Sequence, residues 1–121
     1  MKLKIETKRV YAKKERKDGK RVLVMRRWPR GIPVTGVDLW LKDLGPTPQL
    51  LLAFRSGKVR WPTFEKRYLD ELEGEPARKA ISALAQGIAG KSLTLMCGCA
   101  DLRKCHTKPL KRYLAKWIGG L

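Results

Sequence analysis

Cys97, Cys99 and Cys105 fall within nine residues, and His106, the chain's only histidine, follows directly. Thiols and an imidazole in one short stretch can do three things. Cys97, Cys99, Cys105 and His106 offer the soft sulfur and nitrogen donors that zinc takes, although Cys-x-Cys before an adjacent Cys-His pair departs from the usual Cys-x₂-Cys spacing. Cys97 could instead act as a nucleophile, with His106 as its base or acid, if arginines and a helix N-terminus favour the thiolate. The third reading is three small buried apolar side chains, or a disulfide in a hyperthermophile. An odd number of cysteines so close together is not a secreted disulfide framework.

A second cluster lies far upstream. Arg26, Arg27 and Arg30 flank Trp28-Pro29, and Gly31 follows. The guanidinium fork donates two parallel hydrogen bonds, which suits phosphate or carboxylate, so these three arginines are candidate anion ligands. A helix beginning near Thr107 would add free backbone N–H groups for the same anion. Trp28 and Trp61 could stack bases if exposed, or pack in the core.

The charge is consistent with an anionic partner, with nucleic acid among the candidates. The formal net charge is +17 over 121 residues. Residues 1–30 carry +10, 31–60 carry +2, 61–90 carry −1 and 91–121 carry +6. If the two ends meet, they make one positive face that attracts polyanions. An ion-paired, thermophile-like surface is the alternative, but acids are few for such pairing.

Both clusters need elements to position them. Leu3 to Val10 alternates apolar and polar residues and reads as a strand. Arg21 to Met25 and Ser92 to Met96 are short apolar runs, as buried strands are. Between Ala12 and Lys20 lies a charged loop ending in the Asp18-Gly19 turn signal. Helices are expected over Asp38–Leu44, from Pro48 to Phe54 with Thr47 as N-cap, from Pro62 (Phe64, Tyr68, Leu69, Leu72 inward) and from Pro76 (Ala77 to Ile88, with Gly90 as stop). A last helix holds Pro109 in its first turn and puts Leu110, Tyr113, Leu114, Trp117 and Ile118 on one stripe before Gly119-Gly120. The expectation is one α/β domain over residues 1–121. Its sheet is small, parallel or mixed, of about three strands covered by about five helices. If the two buried strands pair in parallel, the arginine turn and the Cys/His turn leave the same edge of the sheet, where open α/β sheets bind ligands. No run is apolar enough to span a bilayer, and the first residues have no signal-peptide core, which favours a cytoplasmic protein.

These motifs also carry a resemblance. Thr7-Lys8-Arg9-Val10-Tyr11, Arg21-Val22-Leu23-Val24, Trp28-Pro29-Arg30-Gly31, Leu39 to Thr47, Phe64 to Leu69 and Leu93-Thr94-Leu95-Met96-Cys97 occur in that order. Together with Cys105-His106 they resemble the YeaO-like domain-of-unknown-function family 488 over nearly the whole chain. The resemblance implies a compact α/β domain and supplies no reaction. It also implies an acidic residue where this chain has Met25, hence a missing partner for Arg26 or Arg30. The family's ending often reads Cys-His-Arg, and here Thr107 follows His106.

Overall fold

The computed structural model describes residues 4–87, 92–99 and 101–117. Four strands form its sheet: β1 (Ile5–Arg9), β2 (Lys20–Leu23), β3 (Leu39–Trp40) and β4 (Leu93–Cys97). They lie in the order β1-β4-β2-β3, and every pairing is parallel. β4 is central and buried at all five positions, which accounts for its unbroken apolar sequence. Four α-helices are seen among the described residues: α1 (Pro48–Arg55), α2 (Trp61–Leu72), α3 (Glu75–Gly87) and α4 (Thr107–Trp117).

The counts correct the expectation of three strands and five helices. Asp38–Leu44 is no α-helix. Leu39-Trp40 pairs with Val22-Leu23, and a 3-10 turn over Lys42–Leu44 follows. Extension wins because Asp38 and Leu41 donate their N–H groups to the Arg21 and Leu23 carbonyls at 2.8 and 2.9 Å. The Asp38 carboxylate also takes the Arg21 N–H at 2.8 Å. Two residues of edge strand show too little periodicity to be told from a helical stripe.

The helix signals act as their chemistry requires. Thr47 Oγ1 accepts the Leu50 N–H at 3.3 Å, and Pro48 starts α1, where its missing N–H costs nothing. Glu71 of α2 takes the Thr47 N–H and hydroxyl at 2.9 and 2.6 Å, docking α1 onto α2. On α2, Phe64, Tyr68 and Leu72 recur every fourth residue and are buried. Trp117 breaks the expected stripe of α4: it is 45% exposed, with the Arg78 guanidinium 5.6 Å from its ring centre. Ile88, Gly90, Ile118, Gly119 and Gly120 lie outside the described residues.

All four helices cover one face of the sheet, against Ile5, Val22, Val24, Leu93 and Leu95. On the other face Val10, Leu23 and Met96 are covered by loop residues Met25, Trp28, Ile32 and Val37. Trp28 is thus largely a packing residue, its indole N–H donating to the Ile32 carbonyl at 2.7 Å. That loop-covered face also hides charge. Asp18 and Arg21 are 4% and 3% exposed and joined Oδ2 to Nη1 at 2.5 Å. Lys8 reaches both Asp18 oxygens at 2.9 and 3.1 Å, and the Glu15 N–H donates to Oδ2 at 2.9 Å.

Gly19 makes this arrangement possible. Its φ is +63°, and a Cβ there would lie 2.4 Å from the Ser92 carbonyl oxygen. Gly19→Ala should therefore lower the unfolding free energy by at least about 1–3 kcal/mol, from backbone strain alone. A urea titration with an unchanged midpoint would contradict this.

Candidate metal centre and the neighbouring arginine turn

Cys97 is the last residue of β4, on the side chain row facing the helices, and it is 4% exposed. Its carbonyl accepts the Val10 N–H at 3.0 Å, so β1 fixes the strand end. The chain then loops back through Cys99 and a 3-10 turn at Leu102–Lys104, capped by the Asp101 carboxylate on the Arg103 N–H at 2.9 Å. Cys105 is extended, and α4 begins two residues later. This loop returns Cys105 and His106 to Cys97.

The four expected ligands come together. One donor atom from each of Cys97, Cys99, Cys105 and His106 lies within 4.8 Å of all the others. Cys97 Sγ is 3.2 Å from Cys99 Sγ, and His106 Nδ1 is 3.8 Å from the sulfurs of both Cys97 and Cys105. A tetrahedral zinc with ordinary Zn–S and Zn–N lengths has ligand–ligand edges of about 3.5–3.8 Å. The cluster is close to those edges. All three cysteines are free thiols. Cys105 and His106 are buried, while Cys99 is partly exposed and marks the solvent side.

The imidazole is set for this role. His106 Nε2 lies 2.5 Å from the Val24 carbonyl oxygen, which can only accept, so Nε2 carries the proton. In the neutral ring Nδ1 is then the lone-pair nitrogen, and it is the atom that faces the sulfurs. A ligand histidine anchored through its other nitrogen is the usual outer support of a metal site. Tyr68 meets the ring edge-on at 5.5 Å.

The thiols share their charge unequally. Hydrogen bonds from Cys97 and Cys99 hold the Cys105 thiol far below its ordinary range, helped by His106. The same bonds, with Cys105 foremost and burial added, push Cys97 far up. Cys99 is pushed up to about 12, mainly by its bond to Cys105.

β2 and β4 pair in parallel, so the arginine turn and the Cys/His turn share one edge. The His106–Val24 bond joins them directly, and a Cβ on Gly98 would sit 3.6 Å from Met25 Cε. The three arginines differ. Arg26 is half-buried and engaged, Nε to the Gly45 carbonyl at 3.1 Å and Nη1 to Asp43 at 3.3 Å. Asp43 thus supplies the acidic partner that Met25 cannot. Arg27 and Arg30 are exposed, and neither side chain bonds to a carboxylate among the described residues. None of the three arginine side chains hydrogen-bonds to the four ligand residues.

Sequence reasoning passed over Arg9. Its Nε donates to the Cys99 carbonyl at 2.8 Å, holding the loop that carries the partly exposed thiol. The signal was the β1–β4 register, which sets Arg9 beside Cys97 and is invisible until the strands are paired.

A profile of DUF488-N3a, described as the active DUF488-N3 subclade, matches residues 5–118. The chain belongs to this DUF488 family. The uncharacterized protein YeaO of Escherichia coli K12 is 36% identical over 120 residues, covering 97% of this chain and 98% of that protein. The uncharacterized proteins Mb3100c of Mycobacterium bovis and Rv3073c of Mycobacterium tuberculosis are each 36% identical over 82 residues, covering 66% of this chain and 70% of theirs. No solved structure matches. No helix among the described residues is long and apolar enough to cross a membrane.

Proposed function

We propose that Cys97, Cys99, Cys105 and His106 hold one zinc ion, and that the basic loops at the same sheet edge bind a phosphate-bearing or other anionic ligand. The observation that carries the zinc half is the meeting of four donor atoms within 4.8 Å. His106 presents Nδ1 because Val24 occupies Nε2. Four protein ligands close the coordination shell, so the ion would brace the edge rather than activate a water. The anionic partner is supported by the +17 charge and by exposed Arg27 and Arg30 beside the braced loop. Elemental analysis of protein purified without chelator tests the centre, and about one zinc per chain is expected.

A cysteine-dependent enzyme acting on a small anionic substrate is the competing reading. It would use Cys97 as nucleophile, His106 as proton carrier and Arg30 as clamp. The 3.8 Å approach of Cys97 Sγ to His106 Nδ1 favours it, as does the word "active" in the family description. Zinc on all four groups would leave neither Cys97 nor His106 free, so the metal measurement separates the readings.

A further inference from the structure

We propose that the ligand of this edge is single-stranded nucleic acid, with Tyr11 and Trp40 as stacking platforms and Lys13, Arg27 and Arg30 holding its phosphates. The proposal rests on the anion-binding half of the function above and names the ligand class.

Sequence alone offered Trp28 and Trp61 as stacking residues. Trp28 is packed on the sheet and meets Trp40 edge-on at 5.4 Å. Trp61 is packed against Phe54 and Phe64, at 5.7 and 5.4 Å. Trp117 is exposed too, but it ends α4 with the Arg78 guanidinium over its ring; beside the arginine turn, the open rings among the described residues are Tyr11, 48% exposed, and Trp40, 40% exposed. Both are anchored through their polar atoms: Tyr11 Oη–H donates to the Arg30 carbonyl at 3.0 Å, and Trp40 Nε1–H to the Met25 carbonyl at 2.7 Å. Each ring is therefore held in place while part of its surface stays in water, as a stacking platform requires.

Their placement gives the surface its span. Tyr11 follows β1 and Trp40 ends β3, the two outer strands of the sheet. With strands about 4.8 Å apart, the two outer strands are roughly 14 Å from each other across the sheet. The arginine turn lies between them, tied to both by the bonds through Arg30 and Met25. Lys14 Nζ on the Thr35 carbonyl, at 3.4 Å, joins the loop after β1 to the same turn.

The charge here is free for a ligand. Carboxylates of these loops already have cations: Asp43 has Arg26, Asp101 has Arg103 and Glu15 has Lys8. Lys13, Arg27 and Arg30 are exposed and pair with no carboxylate among the described residues. Cations interleaved with open aromatic rings suit a strand whose bases and phosphates alternate. An acidic peptide or a sulfated sugar offers charge without an aromatic base at each repeat.

Fluorescence anisotropy with labelled oligothymidylate tests this, with heparin and polyglutamate as polyanions that carry no aromatic base. Tyr11→Ala and Trp40→Ala should each weaken oligothymidylate binding about tenfold and leave heparin binding unchanged. Tyr11→Phe and Trp40→Phe keep a ring and should keep most of the affinity, which separates stacking from damage to the fold. Arg27→Ala with Arg30→Ala should reduce the slope of log affinity on log salt by roughly 1.4. Alanine variants that bind oligothymidylate as tightly as wild type would overturn the stacking proposal and leave the anion reading standing. Equal affinity for polyglutamate would do the same. No binding of any polyanion at low salt would overturn both.

Discussion

If Cys97, Cys99, Cys105 and His106 hold zinc as proposed, a chelator should lower the protein's Tm by roughly 10–20 °C, and Cys105→Ser should reproduce the loss without chelator. The size follows from mass action. An ion present at about a thousand times its Kd adds about 4 kcal/mol to folding. For a domain of this length each kcal/mol is worth roughly 3–5 °C. Cys105 is the informative position because it is 1% exposed and supplies one of the three sulfur donors of the cluster. Serine keeps the volume and removes the soft donor, so packing alone predicts a small effect. Arg27→Ala, at an exposed site, should leave both zinc content and Tm unchanged. Protein that carries no zinc as purified, and whose Tm ignores both chelator and added zinc, would end the metal reading.

Asp18→Asn should be about as damaging, at roughly 3–5 kcal/mol, because it strands the buried Arg21 guanidinium rather than merely deleting an attraction. A second change, Arg21→Met, should recover part of that loss, since the doubly substituted site has no charge left unpaired between these two positions. The pH dependence has a defined sign. Burial alone would raise the Asp18 carboxyl, but the Glu15 N–H, Lys8 and Arg21 together hold it below its ordinary 3.8. A lowered folded pKa means that the stabilisation is fully present above the unfolded value. It is lost as the pH falls through the folded one. Wild type should therefore lose this stability only below about pH 4, and Asp18→Asn should lack that part of the acid slope. Equal acid slopes in the two proteins would show that the pair contributes nothing to folding.

Much of this molecule could be read from residue types and spacing. The two apolar runs became parallel neighbours because strands without polar alternation need cover on both faces, which antiparallel edges seldom require. Thr47-Pro48, Pro62 and the Phe64/Tyr68/Leu72 stripe started and oriented helices by local rules alone. The four metal-ligand candidates were legible because no other residue in the chain offers a thiolate or an imidazole. What escaped depends on partners distant in sequence. Ala12–Lys20 looks like a solvated loop, yet Asp18 is buried because Lys8 and Arg21 neutralise it from two different strands. Arg26 looks like a free anion ligand and is consumed by Asp43 and Gly45, seventeen and nineteen residues on. Likewise, the proton position on His106 follows from a carbonyl eighty-two residues away.

The strand order has a temporal meaning. β4 lies between β1 and β2, yet of the four described strands it is the last to leave the ribosome. Until residues 93–97 emerge, the first two strands have no common neighbour, and the backbone N–H and C=O groups that β4 will pair face an empty slot. The nascent chain must therefore carry an incomplete sheet through most of its synthesis. Closing the sheet and gathering the three thiols then happen together, because Cys97 is the end of the strand that fills the gap.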